Sequence, residues 1–233
     1  MLGMSAPRLQ CLCRCYDYQL CRPGASVPRS SSRMTPRLKS IPRTGETELH
    51  LMGNLLERHG HRPFYATEKL DGFSMSFGWV DGQFVVSARD WMIEGGRQSV
   101  FADAASELEL RERHTTRDVL FQGELIGPRI RRNRYGLDRL QLHIFNGIRG
   151  GEFVSFGALK RFCRVIDLPT VPLLAECFEP VRENLLAFAW GQSLLNSSVE
   201  REGAVFRPLI ETMDKHQGRV SFKVFNPKFG APL

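Results

Sequence analysis

Apolar and polar residues alternate between positions 73 and 79, which is the clearest periodic pattern in the chain. The apolar members of this pattern are Phe73, Met75, Phe77 and Trp79. A period of two is typical of a strand with one buried face, so this segment is predicted to be a strand. Asp81-Gly82 favours a two-residue hairpin turn, and residues 84–88 are predicted to return as the partner strand.

The rest of the pattern predicts short strands and helices in a mixed order. Ser155 precedes a segment with one apolar face, and its hydroxyl is expected to cap the helix that begins there. Antiparallel hairpins interspersed with helices indicate the α+β fold class. The predicted strands cover 119–126, 140–145, 204–206 and 220–225, and the predicted helices cover 99–114, 156–166 and 182–195.

The composition is that of a soluble globular protein, with 42% hydrophobic and 24% charged residues in a chain of 233. No apolar run approaches the roughly 20 residues of a membrane-spanning helix, so an integral membrane protein is excluded and no membrane partner is expected. Residues 1–43 carry eight basic side chains and one acid, so the whole formal charge of +7 lies in that segment. The body of the chain therefore has no net formal charge.

Residues 1–40 are rich in Arg, Ser and Pro and show no apolar periodicity. Such a segment buries too little surface to offset its ordering entropy, so a disordered basic tail is predicted there, followed by one domain over 41–233. Three interpretations of the tail remain open: an organellar transit peptide, a misplaced start with Met34 as the true initiator, or an arm that contacts nucleic-acid phosphates. The expected location is cytoplasmic, or organellar if the tail is a transit peptide.

Cysteine usage indicates a reducing compartment, because the sequence shows neither a secretory signal nor a disulfide framework. The cysteines of the tail lack the paired spacing of a structural zinc site, so unpaired thiols are favoured over zinc there. These four are Cys11, Cys13, Cys15 and Cys21. Cys163 and Cys177 lie among apolar neighbours and are predicted to be small core residues.

The most informative segment for chemistry is Lys69-Leu70-Asp71-Gly72, at the start of the strand pair. A lysine at a tight turn holds its amine in a fixed place, and an amine is a nucleophile when neighbours or a metal favour its deprotonated form. Taken alone, the segment is also typical of a plain surface turn. A second feature is the basic run Arg129, Arg131, Arg132 and Arg134 beside Tyr135, which is either a solvated loop or a grip for RNA phosphates and a stacked base.

Six segments of the body, taken in order, make a stronger case than any one of them. They are Lys69-Leu70-Asp71-Gly72, Ser87-Ala88-Arg89, Gly123-Glu124-Leu125-Ile126-Gly127-Pro128 with Asn133-Arg134-Tyr135-Gly136, His143-Ile144-Phe145-Asn146, Glu202-Gly203-Ala204-Val205, and Ser221-Phe222-Lys223-Val224-Phe225-Asn226-Pro227-Lys228-Phe229. The series resembles the ordered motifs of ATP-dependent RNA ligases, in the covalent nucleotidyltransferase superfamily of polynucleotide ligases and capping enzymes. DNA ligases usually have Arg where this chain has Ser74, which favours RNA as the substrate.

The resemblance implies an ATP-grasp-like adenylyltransferase domain of antiparallel sheets flanked by helices, and it implies roles for individual residues. Lys69 would attack the α-phosphorus of ATP and form lysyl-AMP, while Lys223 would neutralise the α-phosphate and Glu202 would hold Mg²⁺ or Mn²⁺. Glu124 and Arg89 would contact the ribose or the phosphate of the incoming strand. Phe145 would stack on adenine, Glu68 would orient the base, and Asp71 and Gly72 would fix the turn.

The implied activity is joining of RNA 3′-hydroxyl and 5′-phosphate ends through lysyl-AMP and an adenylylated RNA 5′ end, as in RNA repair. The expected partner is a nicked duplex, with an accessory protein as a further candidate partner. The alternatives are a DNA-nick ligase, another lysine-adenylylating transferase, or a catalytically weak nucleic-acid-binding module of the same fold.

Two features depart from the motif pattern. Phe225 stands where many relatives have a second lysine, and Lys228 is the candidate to replace it. The segments outside the motifs are short, so no OB domain is expected.

Overall fold

Two five-stranded sheets dominate the computed structural model, which describes residues 42, 46–89, 91–93 and 99–229. The predicted tail over 1–40 lies outside these residues. The strands are β1 (Thr47–Glu48), β2 (Phe64–Lys69), β3 (Phe73–Val80), β4 (Gln83–Ala88), β5 (Val119–Ile126), β6 (Gln141–Arg149), β7 (Glu152–Phe153), β8 (Leu173–Phe178), β9 (Gly203–Pro208), β10 (Met213–Asp214), β11 (Gly218–Arg219) and β12 (Phe222–Phe225). The helices are α1 (Leu55–His59), α2 (Val100–Glu107), α3 (Leu110–Arg113), α4 (Phe156–Val165) and α5 (Arg182–Ala189), with a 3-10 turn at Leu49–Leu51.

The first sheet has the strand order β1-β12-β9-β2-β8. Its pairs are antiparallel except that β1 runs parallel to β12. Helices α1 and α5 contribute Leu55, Leu185 and Ala189 to a core cluster that also includes Phe64, Phe206 and Phe222 from the strands. This sheet carries the end of β2, where Lys69 lies.

The second sheet has the order β4-β3-β5-β6-β7 and is antiparallel throughout. The hairpin between β3 and β4 turns at Asp81 and Gly82, which both have positive φ (49° and 76°), as a two-residue turn with right-handed strand twist requires. A bulge in β6 skips Phe145, because Gln122 pairs with Asn146 and Gly123 pairs with Ile144. The three residues after Lys69 connect the two sheets directly.

The helices differ from the sequence prediction in length. The helix predicted over 99–114 is two helices, because Glu109 adopts the left-handed conformation at φ 50° and ends the continuous run. The helix predicted over 182–195 ends at Ala189, since Trp190 is extended. The predicted cap is confirmed: the Ser155 hydroxyl accepts a hydrogen bond from the Ala158 amide at the start of α4.

One cysteine prediction is correct and one is wrong. Cys163 is buried in α4, as predicted, whereas Cys177 is exposed. Cys177 lies at a bulge in β8 with φ 60°, and the shift in register turns its side chain away from the core. No helix within the described residues is long and apolar enough to cross a membrane. The fold is α+β, as predicted.

Candidate active site

Lys69 is the last residue of β2 and pairs with Gly203 at the start of β9. This pairing places Glu202 directly beside it, and the Lys69 Nζ lies 2.7 Å from Glu202 Oε2. Gly203 allows the close approach of the strands, since a Cβ at that position would lie 2.2 Å from the Val224 carbonyl oxygen. Two residues that are 133 positions apart in the sequence thus form one ion pair where two neighbouring inner strands of the first sheet meet end to start.

The turn after Lys69 is held by side chains from the second sheet and its loop. The Asp71 amide donates to the Tyr135 hydroxyl at 2.7 Å, and the Gly72 amide donates to Glu124 Oε1 at 3.1 Å. Gly72 lies so close to β5 that a Cβ there would be 2.3 Å from the Leu125 carbonyl oxygen. The sequence singled out the turn but did not indicate that Tyr135 reaches it, because loop conformation decides that contact.

Negative charge is concentrated around the Lys69 amine. Burial is the main cause that raises the pKa of Glu124 to about 7, and the nearby charges of Glu202 and Asp71 add to it while Lys69 opposes it. Burial likewise raises the pKa of Glu202, although Lys69 and Lys223 act in the opposite direction. Glu202, Glu124 and Asp71 thus gather near the Lys69 amine, and a carboxylate such as Glu202 is an oxygen ligand of the kind that a divalent metal ion takes.

The metal prediction rests on Glu202. No group of three or more His, Cys, Asp or Glu side chains in the described part of the chain is placed to hold a metal ion directly. This arrangement is compatible with Mg²⁺, which keeps several waters and usually takes one or two carboxylates together with substrate phosphates.

Lys223 reaches the same region from β12, two strands away from β2 in the sheet order. Its ammonium lies 4.8 Å from the centroid of the Phe225 ring, and the ammonium of Lys69 lies 5.8 Å from the same centroid. Both distances are within the range of a cation–π interaction. Phe225, which replaces an expected lysine, therefore faces both cations of the site with its ring.

Glu68 is buried next to Lys69, and only one of its carboxyl oxygens has a hydrogen-bond partner among the described residues. Its Oε2 accepts a hydrogen bond from the Leu194 amide at 2.7 Å, whereas its Oε1 is buried without a hydrogen-bond partner among the described residues. Burial raises the pKa of this carboxyl group. A buried acceptor that lacks a donor is costly, and a ligand amine or hydroxyl would remove that cost.

Phe145 lies on β6, where the bulge displaces it from the regular pairing. Its half-buried ring packs against a small apolar cluster that includes Leu70, Ile126 and Tyr135. The predicted stacking residue therefore lies beside the turn that follows Lys69.

Two further predicted site residues lie at the ends of strands. Arg89 is exposed and directly follows β4. Lys228 is exposed in the turn after β12, where its amide donates to the Asn226 side chain.

The basic run of the loop after β5 is divided among several partners. Arg129 forms ion pairs with Asp103 and Glu107 of α2, and Arg134 donates to the Glu200 carbonyl oxygen. Arg131 is the member that reaches the site, with its Nε 3.6 Å from Asp71 Oδ1. These arginines are neighbours in the sequence, but Arg129, Arg131 and Asn133 adopt positive φ. The loop therefore turns at every second residue, and the side chains reach different partners.

Comparison with known proteins identifies relatives of this chain by sequence and by structure. A sequence model described as RNA ligase matches residues 62–225. Among solved structures, the Naegleria gruberi RNA ligase with PPi is 25% identical and covers 88% of this chain and 61% of its own, with a TM-score of 0.72. Variants of the same ligase with ATP and Mn (TM-score 0.73) and with AMP and Mn (0.72) are also 25% identical and cover 82% of this chain.

The chain spans 57–61% of the length of these ligase structures. A search of curated proteins finds no match. The family model covers most of the chain and includes Lys69, Glu124, Glu202 and Lys223. The chain belongs to the RNA ligase family.

Proposed function

We propose that this chain is an ATP-dependent RNA ligase that adenylylates its own Lys69 and seals an RNA 3′-hydroxyl to a 5′-phosphate. The observation that carries the proposal is the Lys69 amine, fixed between the two sheets and 2.7 Å from Glu202. Family membership supports the reaction class. The solved Naegleria gruberi ligase structures with ATP and Mn, AMP and Mn, and PPi support ATP and a divalent metal as its cofactors.

In the first step, the Lys69 nitrogen forms a bond to the α-phosphorus of ATP and the bond from that phosphorus to the bridging oxygen breaks. Pyrophosphate leaves with the electron pair. The Lys69 ammonium loses one proton before it attacks and the nitrogen loses a second after the bond to phosphorus has formed, one to Glu202 and one to solvent. The Glu202 carboxylate is positioned to receive a proton or to pair with a cation instead of with Lys69. A divalent cation held by Glu202 would neutralise charge on the phosphate oxygens.

Lys223 provides a second positive charge from β12, close enough to Glu202 to act on the pKa of that carboxyl group. A fixed ammonium that faces developing phosphate charge stabilises the transition state more than the ground state. Glu68 offers its unpaired Oε1 to the adenine amine, and the Phe145 ring forms the wall on which the base stacks. The lysyl-bound AMP would then pass to an RNA 5′-phosphate, and the 3′-hydroxyl at a nick would displace AMP.

The test is an intact-mass measurement after incubation with ATP and Mg²⁺. The parent protein is expected to gain the mass of one AMP, and Lys69→Ala is expected to gain none. Lys160→Ala is the matched control, because Lys160 also pairs with a carboxylate but on the surface at Glu176. Labelling of Lys69→Ala would contradict the assignment of the nucleophile.

A second measurement separates the substrates. Nicked duplexes with RNA on the 3′-hydroxyl side are expected to be sealed faster than all-DNA nicks. Equal rates on both substrates would favour the DNA-nick ligase instead. A folded parent protein that is neither pre-adenylylated nor labelled would favour the nucleic-acid-binding module.

A further inference from the structure

A buried ion pair lies further along β9 from Gly203, and it joins both sheets to the segment before β1. Arg207 is on β9, and its side chain is 3% exposed. It pairs with Glu46 and donates from Nε to the Ser221 hydroxyl at 2.9 Å. Ser221 in turn donates to Glu46 Oε1 at 2.9 Å, so the three side chains form a closed network.

The same guanidinium crosses to the second sheet. Arg207 donates to the Phe145 carbonyl oxygen at 3.1 Å. That carbonyl belongs to the residue skipped by the bulge in β6, so the regular ladder does not hold it as it holds its neighbours. Arg207 therefore replaces a missing ladder contact at the residue whose ring lines the nucleotide wall.

Glu46 lies outside the segment that the family model matches, residues 62–225. It precedes β1, whose Glu48 pairs in register with Lys223 of β12. Burial acts to raise the pKa of Glu46, but the charges of Arg207 and Arg219 together with the hydrogen bonds from Arg207 and Ser221 lower it overall. The carboxylate is thus charged and held by Arg207.

We propose that Arg207, neutralised by Glu46, is a positioning residue for the nucleotide: it fixes the Phe145 main chain against the strands that carry Lys69 and Lys223. The inference rests on the proposed adenylylation. A bare arginine in this place would be a buried charge without a partner, which explains why the network needs a carboxylate from the segment before β1.

The test measures the rate of Lys69 adenylylation against ATP concentration for variants of the full chain. Arg207→Met is expected to raise the half-saturating ATP concentration about threefold to tenfold, the effect of one lost hydrogen bond, while the rate at saturation changes less. Arg207→Lys retains the charge but lacks the fork that serves Glu46, Ser221 and Phe145 together, so a raised half-saturation is expected here too. Glu46→Gln retains an acceptor and is expected to give a smaller increase.

Arg58→Met is the matched control. Arg58 of α1 also pairs with a buried carboxylate, Asp214, whose side chain is 3% exposed, but its described contacts include neither Glu46 nor Phe145. It is expected to lower the melting temperature while the half-saturating ATP concentration stays near that of the parent.

Equal increases in Arg207→Met and Arg58→Met would overturn the proposal, because they would show a general loss of stability. Parent-like half-saturation in a folded Arg207→Lys would also overturn it, and this variant decides the matter if Arg207→Met does not fold. A parent protein that is never adenylylated would instead remove the proposed function on which the inference rests.

Discussion

The Lys69 amine at the end of β2 and the Glu202 carboxylate just before β9 form an ion pair, with 2.7 Å between Nζ and Oε2. A paired ammonium is not a nucleophile, so this contact describes a resting arrangement of the site. Under the proposed adenylylation, Glu202 would have to take up another positive partner or the proton itself. The pair would then link cation binding by Glu202 to the release of Lys69 for attack.

Replacing Glu202 with Gln is expected to lower the rate of Lys69 adenylylation by about 100-fold or more, because an electrostatic group of the site is lost. Intact-mass measurements at several times after addition of ATP and Mg²⁺ give this rate. Glu176→Gln serves as the control, since Glu176 pairs with Lys160 at an exposed position. A rate within about threefold of the parent would exclude an electrostatic role of this size.

Stability is expected to depend on pH through Glu124. Its pKa in the folded protein is raised to about 7 from an ordinary value of 4.5, mainly by burial. The folded state then binds a proton that the unfolded chain has released, so the free energy of unfolding decreases as pH rises from 4.5 through 7. Glu124→Gln carries no such proton and is expected to flatten this part of the profile by on the order of 1 to 3 kcal/mol.

Urea denaturation at pH 5 and pH 8 measures the effect. The parent is expected to lose more stability between these two conditions than Glu124→Gln does. Glu179→Gln is the control, because Glu179 is exposed and should leave the profile of the parent unchanged. Identical pH profiles for the parent and Glu124→Gln would show that the Glu124 carboxyl titrates in its ordinary range.

Gly72→Ala is expected to destabilise the protein by about 1 to 3 kcal/mol and to impair adenylylation, because the new Cβ would lie 2.3 Å from a carbonyl oxygen of β5. Gly157→Ala provides a matched control in α4. The nearest atom to its added Cβ is 3.9 Å away, so this change should be neutral or stabilise the helix by up to about 1 kcal/mol. Thermal unfolding of both variants gives the comparison, and equal melting temperatures would contradict the close approach at Gly72.

Lys223→Ala is expected to slow adenylylation by about 100-fold, since the ammonium that faces the phosphate would be lost. Lys215→Ala is the control on the surface, away from the motif segments. Lys228→Ala is expected to have a smaller effect than Lys223→Ala, because the described contact of Lys228 is made by its amide. A larger effect of Lys228→Ala would show that this side chain has taken over the place of the missing second lysine.

The sequence predicted most strands well, because their periodicity records which face is buried. Residues 119–126 were predicted as a strand and form β5 over the same positions, and Asp81-Gly82 makes the predicted turn. The helix break at Glu109 was not predictable, since a non-glycine residue with φ 50° leaves no signal in composition. Cys177 was placed wrongly for a similar reason: a bulge changes the face without changing the pattern.

For the site, the motifs indicated Lys69, Glu202 and Glu124, which the structure brings together. Tyr135 and Arg131 contact Asp71 through loop geometry that no spacing rule describes. The network of Arg207 and Glu46 could not be predicted from the sequence, because these two residues are 161 positions apart. The Phe145 carbonyl joins the network only because a bulge removes it from the regular pairing of β6. Long-range contacts of this kind depend on the packing of the two sheets.

The short link from β2 to β3 restricts how the molecule can admit its substrates. Lys69 ends a strand of one sheet and Phe73 begins a strand of the other, so the residues between them would have to absorb any hinge rotation of the sheets. The Asp71 amide is held by Tyr135 and Gly72 is packed against β5, which leaves this link little freedom to rotate. The two sheets are therefore expected to keep their relative orientation, so under the proposed function nucleotide and RNA strands would enter and leave through motions of the surrounding loops.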